Sequence, residues 1–197
     1  ILPLAAELLA EAGLSPQALD AIAFGRGPGS FTGARIAVAF AQGLGFALSR
    51  PLIPVCSLQA IALDAHLEAS CRDVETHVAL AVDAHMGEIY CAAFVRHGDD
   101  VLPLPLPPLA RVDGYAFPEA CDPATTVLAG DGWTQYPSIR PPDARLDDAA
   151  GPAAARVLTI AAALDPAFWI AARDAEPAYV RGVSAWKTRE AQAASRG

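Results

Sequence analysis

A glycine-rich loop from Gly25 to Gly33 is the first candidate for a functional site in this sequence. Glycines stand at positions 25, 27, 29 and 33, and Pro28 and Ser30 lie among them. An apolar run, Ala21–Phe24, precedes the loop, and a long apolar segment follows it. Glycine allows the backbone to approach another group closely, and the free amides at the start of a helix attract anions. A strand, a loop and a helix N-terminus in this order can hold a phosphate.

Two established phosphate-binding patterns fail on this loop. The Walker pattern needs a lysine after its last glycine, whereas Ala34 follows Gly33. The dinucleotide-binding pattern needs a glycine where Ser30 stands. The commoner use of such a sequence is a tight strand-to-helix turn whose glycines serve packing. In that case Ser30 caps the helix by accepting a hydrogen bond from the amide of Thr32 or Gly33.

A second candidate for chemistry comprises Asp83, His85 and Glu88, in a turn that contains Gly87. Apolar segments on both sides of the turn, 77–82 and 89–95, predict a β-hairpin. Three such side chains in a short turn suit a metal ion or acid–base catalysis. A metal site, however, usually draws its ligands from separate elements. The default interpretation is therefore a solvated hairpin end.

Proteolysis has no support in the sequence. There is no H-E-x-x-H and no G-x-S-x-G pattern. The four histidines also show no pairing on a helix that would suit a zinc peptidase: His66, His77, His85 and His97.

Composition and charge exclude further classes. Of the 197 residues, 53% are hydrophobic and 18% charged, which describes a globular chain with ample core. The formal net charge is −8, whereas a chain that grips nucleic acid by itself needs a basic face. Any role on RNA is expected to go through a basic partner.

Cysteine spacing and hydropathy indicate a cytoplasmic protein. The cysteines are widely spaced and include no C-x-x-C pair, which favours reduced thiols: Cys56, Cys71, Cys91 and Cys121. The longest apolar stretch, Ile36–Leu48, is interrupted by Gln42 and is too short to span a membrane.

The elements that must position these candidates follow an α/β order. Apolar spacing predicts a helix at Ile1–Ala12 that is already under way at the first residue. The next segments alternate between strand and helix and predict a parallel β–α–β unit. They are a strand at 21–24, a helix at Phe31–Leu48, a strand at Leu52–Cys56 and a helix at Leu58–Leu67, capped by Ser57. The polar segment Glu68–Thr76 is the predicted domain boundary. It divides the chain into an N-terminal lobe, 1–70, and a C-terminal lobe, 71–197.

The C-terminal half continues after the hairpin with a proline-rich segment. Prolines lack an amide donor, so Val101–Leu109 is expected to be extended, at a sheet edge or across the surface. A strand is predicted at Thr125–Ala129, and an alanine-rich helix at Ala153–Leu164.

The helix Phe31–Leu48 is apolar nearly all round, and two ridges follow it at i, i+4 spacing. The bulky ridge comprises Ile36, Phe40, Leu44 and Leu48, and the ridge of small residues comprises Gly33, Ala37, Ala41 and Gly45. Such a helix must be covered on more than one side. Its own sheet covers one side. The other is covered either by another element of this chain or by a second protein.

Three stretches together make the sequence resemble the bacterial TsaB (YeaZ) family. They are Gly25–Arg35 (GRGPGSFTGAR), Asp83–Tyr90 (DAHMGEIY) and Glu176–Arg181 (EPAYVR). The first is the most specific and the third is weak alone, and the resemblance extends over essentially the whole chain. Members of that family are non-catalytic partners of TsaD in making threonylcarbamoyladenosine at position 37 of tRNA.

The resemblance implies an actin-like ATPase-domain fold, which is ribonuclease H-like and has two lobes. Family members begin with strands that precede the first helix, one of which bears a phosphate-facing aspartate. The N-terminal lobe is therefore expected to lack its first strands here. The resemblance also implies TsaD as the heterodimer partner, TsaE as a further subunit and contact with tRNA only through the complex. The chain alone is expected to bind no cofactor, with ATP and metal on TsaD.

The expected partner-binding residues lie on the first two helices. They are Leu4, Leu8, Phe31, Gly33, Arg35, Ile36, Ala37, Phe40, Ala41 and Leu44. Without TsaD the same surface is expected to pair with itself as a homodimer. The alternative function is an ATP-binding phosphotransferase or ATPase of the same superfamily. Against it stands the lack of any lysine between Ile1 and Trp186.

Overall fold

The first part of the fold is a parallel β–α–β unit. The computed structural model describes residues 1–65 and 75–180. Strands β1 (Ile22–Gly25) and β2 (Leu52–Val55) pair in parallel, and helix α2 (Phe31–Leu48) connects them. Ile22 lies opposite Leu52. The unit predicted from the sequence is therefore confirmed.

Helix α1 (Leu2–Glu11) precedes this unit and contributes nothing to the core. Its Pro3 lies in the first turn, where a proline removes an amide that has no helical acceptor. None of its residues is buried. A short 3₁₀ turn, Pro16–Ala18, then leads into β1.

Helix α3 (Ser57–Asp64) follows β2 and is largely buried. The predicted cap was wrong, because Cys56 is the N-cap residue and Ser57 is the first residue of the helix. The helix ends at Asp64, and the predicted end at Leu67 lies outside the described residues.

The second sheet has six strands and is built on the predicted hairpin. Strands β3 (Thr76–Asp83) and β4 (Glu88–His97) pair antiparallel, which confirms the hairpin. The sheet order is β5-β4-β3-β7-β8, and β6 also pairs with β4. The remaining strands are β5 (Asp100–Leu104), β6 (Leu109–Arg111), β7 (Val127–Ala129) and β8 (Arg145–Asp147).

The proline-rich segment takes the predicted edge position. Strand β5 occupies one end of the sheet and contains Pro103, whose missing donor is tolerated on an edge strand. The predicted strand at Thr125–Ala129 is shorter in the structure, Val127–Ala129. Helix α4 (Gly132–Gln135) follows it, and helix α5 (Ala154–Ala163) matches the predicted alanine-rich helix to within one residue at each end.

One hydrophobic cluster joins the two halves of the chain. It combines buried residues of β2 and α3 with residues of β3, β7 and α5. Polar contacts reinforce it, because Asp64 at the end of α3 accepts hydrogen bonds from Arg156 Nε (3.0 Å) and the Gly151 amide (3.1 Å). The predicted lobe boundary between residues 70 and 71 lies outside the described residues, and the division into lobes stays a prediction.

A second cluster covers the other face of the six-stranded sheet around Trp133, which is fully buried. Its indole Nε1 donates to the carbonyls of Ala129 (3.1 Å) and Ala79 (3.3 Å). Tyr115 packs edge-on against it, with ring centroids 5.8 Å apart. Both faces of the six-stranded sheet are therefore covered, as in other layered α/β folds.

Candidate functional site

The glycine-rich loop is tied to the start of α3 by reciprocal hydrogen bonds. The Gly27 amide donates to Ser57 Oγ (3.0 Å), and the Ser57 amide donates to the Gly27 carbonyl (3.0 Å). The Arg26 amide donates to the Val55 carbonyl (2.9 Å), which extends the β1–β2 pairing by one bond. Gly27 has φ of +93°, a conformation that glycine adopts at little cost. These hydrogen bonds fix the β1–α2 junction against the β2–α3 junction.

The start of α2 is capped as predicted. Ser30 Oγ accepts a hydrogen bond from the Gly33 amide at 3.2 Å. Two donors that an anion would need, the amides of Gly27 and Gly33, are therefore already engaged by serine side chains. This favours the packing interpretation of the loop over the phosphate-binding one.

The cleft beside the loop also lacks the charge that a triphosphate requires. It has a volume of about 770 Å³ and lies between the loop, the side of α2 and the start of α5. Its polar lining includes the carboxylates of Asp131 and Asp148, and none of its described lining residues is Lys, Arg or His. Nucleotide sites of this type use lysine, arginine or a metal ion to offset phosphate charge.

One side of α2 is part of the core. Val38, Ala41 and Gly45 are buried in a third cluster, with Phe24 and Leu52 from the sheet and Ala172 and Ala175 from the C-terminal segment. Gln42 Nε2 donates to the Ala175 carbonyl at 3.2 Å and fixes that segment along the helix. A Cβ atom on Gly45 would lie 2.9 Å from Leu52 Cδ2, so a larger residue there would force its neighbours to shift.

The ridge of small residues does not lie on one surface, and the expectation that Ala41 is a partner-binding residue is corrected here. Gly33 is exposed and Ala37 is half-buried, whereas Ala41 (1% exposed) and Gly45 are buried. Each i, i+4 step advances about 40° around a helix of 3.6 residues per turn. Three such steps carry the ridge from the exposed side of α2 into the core.

The exposed residues of α2 form a stripe along the helix. The i, i+4 ridges run at an angle to this stripe, so each ridge lies only partly on it. We call Ile36, Ala39, Gly43, Phe46 and Ala47 the exposed α2 face, since all five are exposed. Ile36 is 49% and Phe46 is 64% exposed, so two large apolar side chains lie on one side of the helix without cover from the described residues. Sequence reasoning found Ile36 but missed the other four. Successive steps of three and four residues lead from Ile36 to the other four positions, and this spacing was the available signal.

The other expected partner-binding residues divide by exposure. Leu4 and Leu8 on α1 are 63% and 66% exposed, and Phe31 at the start of α2 is 51% exposed. Phe40 and Leu44, from the bulky ridge, are half-buried. Phe40 and Ala37 line the cleft together with Ile1, which precedes α1.

Arg35 is held between two aromatic rings. Its guanidinium carbon lies 3.3 Å from the centroid of Phe31 and 5.3 Å from that of Tyr179. Tyr179 belongs to the third of the stretches quoted above, so the structure brings the first and third stretches together. Backbone bonding also joins them, because the Ala178 amide donates to the Arg26 carbonyl at 2.8 Å. No local sequence signal shows this long-range contact.

The acidic hairpin turn is a hydrogen-bonded structure. Asp83 accepts from the Tyr136 hydroxyl (2.8 Å) and the His85 amide (2.8 Å), and its second oxygen lies 2.9 Å from His85 Nδ1. Burial raises the pKa of Asp83, but the hydrogen bonds from His85 and Tyr136 and the nearby imidazole outweigh it and bring the pKa below its ordinary value. The Asp83 amide donates to Asp131 (2.9 Å), which anchors the turn to the next loop.

The hairpin turn does not form a metal centre with its neighbours. Across residues 1–65 and 75–180, no group of three His, Cys, Asp or Glu side chains is arranged to hold a metal ion. The described cysteines are free thiols: Cys56, Cys91 and Cys121. Burial raises the pKa of the Cys91 thiol to about 11. This thiol therefore remains protonated at neutral pH and is a poor nucleophile.

By length and composition alone, α2 could cross a membrane, with a mean hydropathy of 1.3. It is the one such helix within the described ranges. A core helix passes the same test, and α2 packs its buried side against β1, β2 and residues 172–175. This packing makes it an element of the globular fold.

Comparison with known proteins defines the class to which this fold and site belong. A family model described as "TsaD: tRNA N6-adenosine threonylcarbamoyltransferase" matches residues 1–143. The tRNA N6-adenosine threonylcarbamoyltransferase of Magnetococcus marinus is 51% identical over 55 residues, which are 28% of this chain and 16% of that protein. The mixed α/β architecture is consistent with the expected actin-like, ribonuclease H-like fold.

Longer matches narrow the class to one family. The tRNA threonylcarbamoyladenosine biosynthesis protein TsaB of Escherichia coli is 32% identical over 197 residues, covering 95% of this chain and 81% of that protein. The solved structure of YeaZ from Pseudomonas aeruginosa superposes with a TM-score of 0.77 at 35% identity, covering 90% of this chain and 82% of that one. The chain belongs to the TsaB (YeaZ) family of tRNA threonylcarbamoyladenosine biosynthesis.

Proposed function

We propose that this chain is a non-catalytic subunit that binds and activates TsaD, and that the exposed α2 face is the surface it uses. The observation that carries this proposal is the exposure of Ile36 and Phe46 on a helix whose other side is core. Contiguous exposed apolar surface marks an interaction site, and the centres of protein interfaces are apolar and poor in charge. The exposed α2 face contains no charged residue.

Similarity between this chain and TsaD supports a paired arrangement of the two proteins. Related chains can meet through equivalent surfaces, as the two copies in an isologous dimer do. Helix α1 adds Leu4 and Leu8 to the apolar surface available for such a contact. In the absence of TsaD, the same surface pairs two copies of this chain.

A non-catalytic role fits the chemistry of the loop and of the cleft. The amides of Gly27 and Gly33 are engaged within the chain, and the described cleft lining offers carboxylates but no cation. ATP and metal are therefore assigned to TsaD. With a net charge of −8, this chain meets tRNA only through the complex, in which TsaE is a further subunit, and the complex works in the cytoplasm.

The direct experiment measures the affinity of the full-length protein for TsaD by calorimetric titration. Ile36→Glu and Phe46→Glu place a charge near one end or the other of the exposed α2 face, where it would be desolvated on binding. Each is expected to weaken binding by at least about tenfold. Leu102→Glu is the matched control, because Leu102 is 66% exposed on β5, away from α2. Wild-type affinity in both α2 variants would remove this face from the interface.

The alternative, an ATPase or phosphotransferase, is tested on the isolated full-length protein. Titration with ATP and magnesium is expected to give no measurable heat of binding, because the cleft supplies no positive side chain from the described residues. Tight binding by the isolated protein would favour the enzyme over the scaffold.

A further inference from the structure

Arg35 lacks an acceptor of its own among the described residues. Its Nη1 is enclosed and has no hydrogen-bond partner there. Arg96, Arg111 and Arg156, in contrast, donate to carbonyls or carboxylates. A guanidinium nitrogen left without a partner and shielded from water is costly, and it calls for a specific explanation.

The surroundings of Arg35 keep its guanidinium in place without neutralising it. Phe31 lies one helical turn before Arg35, with its ring centroid 3.3 Å from the guanidinium carbon, and Tyr179 lies at 5.3 Å. Aromatic faces attract a cation and satisfy none of its N–H donors. We call Phe31, Arg35 and Tyr179 the arginine clamp.

The clamp is assembled from two distant parts of the chain. Gln42 donates to the Ala175 carbonyl (3.2 Å), and Ala178 donates to the Arg26 carbonyl (2.8 Å). These bonds hold the backbone before Tyr179 along α2 and the glycine-rich loop. Arg26 Nε is likewise enclosed without an acceptor. The Arg35 guanidinium is therefore oriented before any partner binds, which lowers the entropy cost of binding that partner.

We propose that the arginine clamp is a socket for a carboxylate side chain of the protein that covers the exposed α2 face. This inference rests on the proposed function and adds to it the chemistry of one contact. Nη1 is enclosed, so the edge of the guanidinium that a partner can reach is the one formed by Nε and Nη2, which are not among the enclosed atoms. These two nitrogens present their N–H groups as a fork that matches the two oxygens of a carboxylate. Phe31 and Tyr179, 51% and 60% exposed, form an apolar rim from which water is excluded on binding.

A protein carboxylate suits this socket better than an RNA phosphate. The chain has a net charge of −8, and a single arginine between aromatic rings is not the extended basic surface that binds RNA. The neighbouring exposed residues on α2 are apolar, as at a protein interface.

The test compares the wild-type protein with Arg35→Met, which keeps an unbranched stem and removes the charge. Affinity for TsaD is measured at low and at high salt. Arg35→Met is expected to bind at least about tenfold more weakly and to lose part of the salt dependence. Arg35→Lys keeps the charge but loses the planar fork of N–H groups. Its affinity for TsaD is expected to lie between those of the wild type and Arg35→Met. The control is Arg111→Met, since Arg111 is an exposed arginine on β6, away from α2, and lies 2.9 Å from Asp113.

The clamp itself is tested at Tyr179. Tyr179→Phe keeps the ring beside Arg35 and is expected to bind as the wild type does. Tyr179→Ala removes the ring and is expected to weaken binding to TsaD, as Arg35→Met does. The melting temperature of each variant verifies that it is folded. If Arg35→Met is unfolded, the affinities of Arg35→Lys, Tyr179→Phe and Tyr179→Ala for TsaD are compared with that of the wild type instead.

The outcomes separate this inference from the proposed function. If the wild type does not bind TsaD, the proposed function itself fails. If the wild type binds and Arg35→Met binds equally well with the same salt dependence, the socket is wrong and the scaffold role stands. Loss of tRNA binding by the isolated Arg35→Met protein, with unchanged affinity for TsaD, would assign the socket to RNA instead. Rescue of Arg35→Glu by an Asp→Arg or Glu→Arg substitution on TsaD would identify the carboxylate.

Discussion

The two sides of α2 have similar residues and different surroundings. Val38, Ala41 and Gly45 on one side are buried against the sheet and residues 172–175. Ile36, Gly43 and Phe46 on the other side are exposed. Both sides are made of apolar and small residues, so hydrophobicity alone does not separate core from interaction surface. What separates them is which side the chain itself covers.

A substitution to glutamate should therefore reduce folding stability strongly on the buried side of α2 and hardly at all on the exposed side. Ala41→Glu buries an unpaired carboxylate in the third cluster and is expected to cost about 3 kcal/mol or more of folding stability. Chemical denaturation measures the loss, and near-complete unfolding is a compatible outcome. A variant that keeps wild-type stability would mean that Ala41 is not in the core.

Gly43 and Gly45, on opposite sides of α2, give the same comparison at a smaller scale. A Cβ on Gly45 meets Leu52 Cδ2 at 2.9 Å and Ala172 Cβ at 3.0 Å, so Gly45→Ala should destabilise by about 1–2 kcal/mol despite the better helix propensity of alanine. A Cβ on Gly43 meets nothing within 4 Å, so Gly43→Ala should stabilise by about 0.5–1 kcal/mol. Equal shifts in the two denaturation midpoints would contradict the assignment of the two sides.

The smallest effect is expected on the stability of Ile36→Glu. Ile36 is half-exposed, and substitutions at such surface positions usually change stability by no more than about 0.5 kcal/mol. Thermal unfolding of the isolated protein should therefore resemble that of the wild type. A large destabilisation would show that this side chain supports the fold, and the loss of TsaD binding would then have a different cause.

Much of the fold follows from local sequence patterns. The strand at 21–24, the glycine-rich loop and the long apolar helix predicted the β–α–β unit, and Ser30 predicted the cap on Gly33. The hairpin followed from two apolar segments around a turn with Gly87. These features depend on neighbours in sequence, and local rules describe such neighbours well.

The parts of the site that sequence reasoning missed depend on distant contacts. The i, i+4 spacing of the small residues predicts one surface, although the rotation of such a ridge around the helix carries Ala41 into the core. Ser57 was predicted to cap α3, whereas its hydroxyl accepts from Gly27, 30 residues earlier. Tyr179 reaches Arg35 only because residues 175–178 are bonded along α2. No spacing rule predicts such contacts from a single sequence.

If TsaD covers the exposed α2 face, cysteine labelling at Gly43 will show the protection. Gly43→Cys fits without a clash, and Gly114→Cys is the matched control, because a Cβ at Gly114 also meets nothing within 4 Å. A soluble thiol reagent is applied with and without saturating TsaD, and mass spectrometry of the labelled peptides gives each rate. We predict that TsaD protects the cysteine at position 43 and leaves the one at position 114 as reactive as before. Equal labelling of position 43 in the free protein and in the complex would contradict the account.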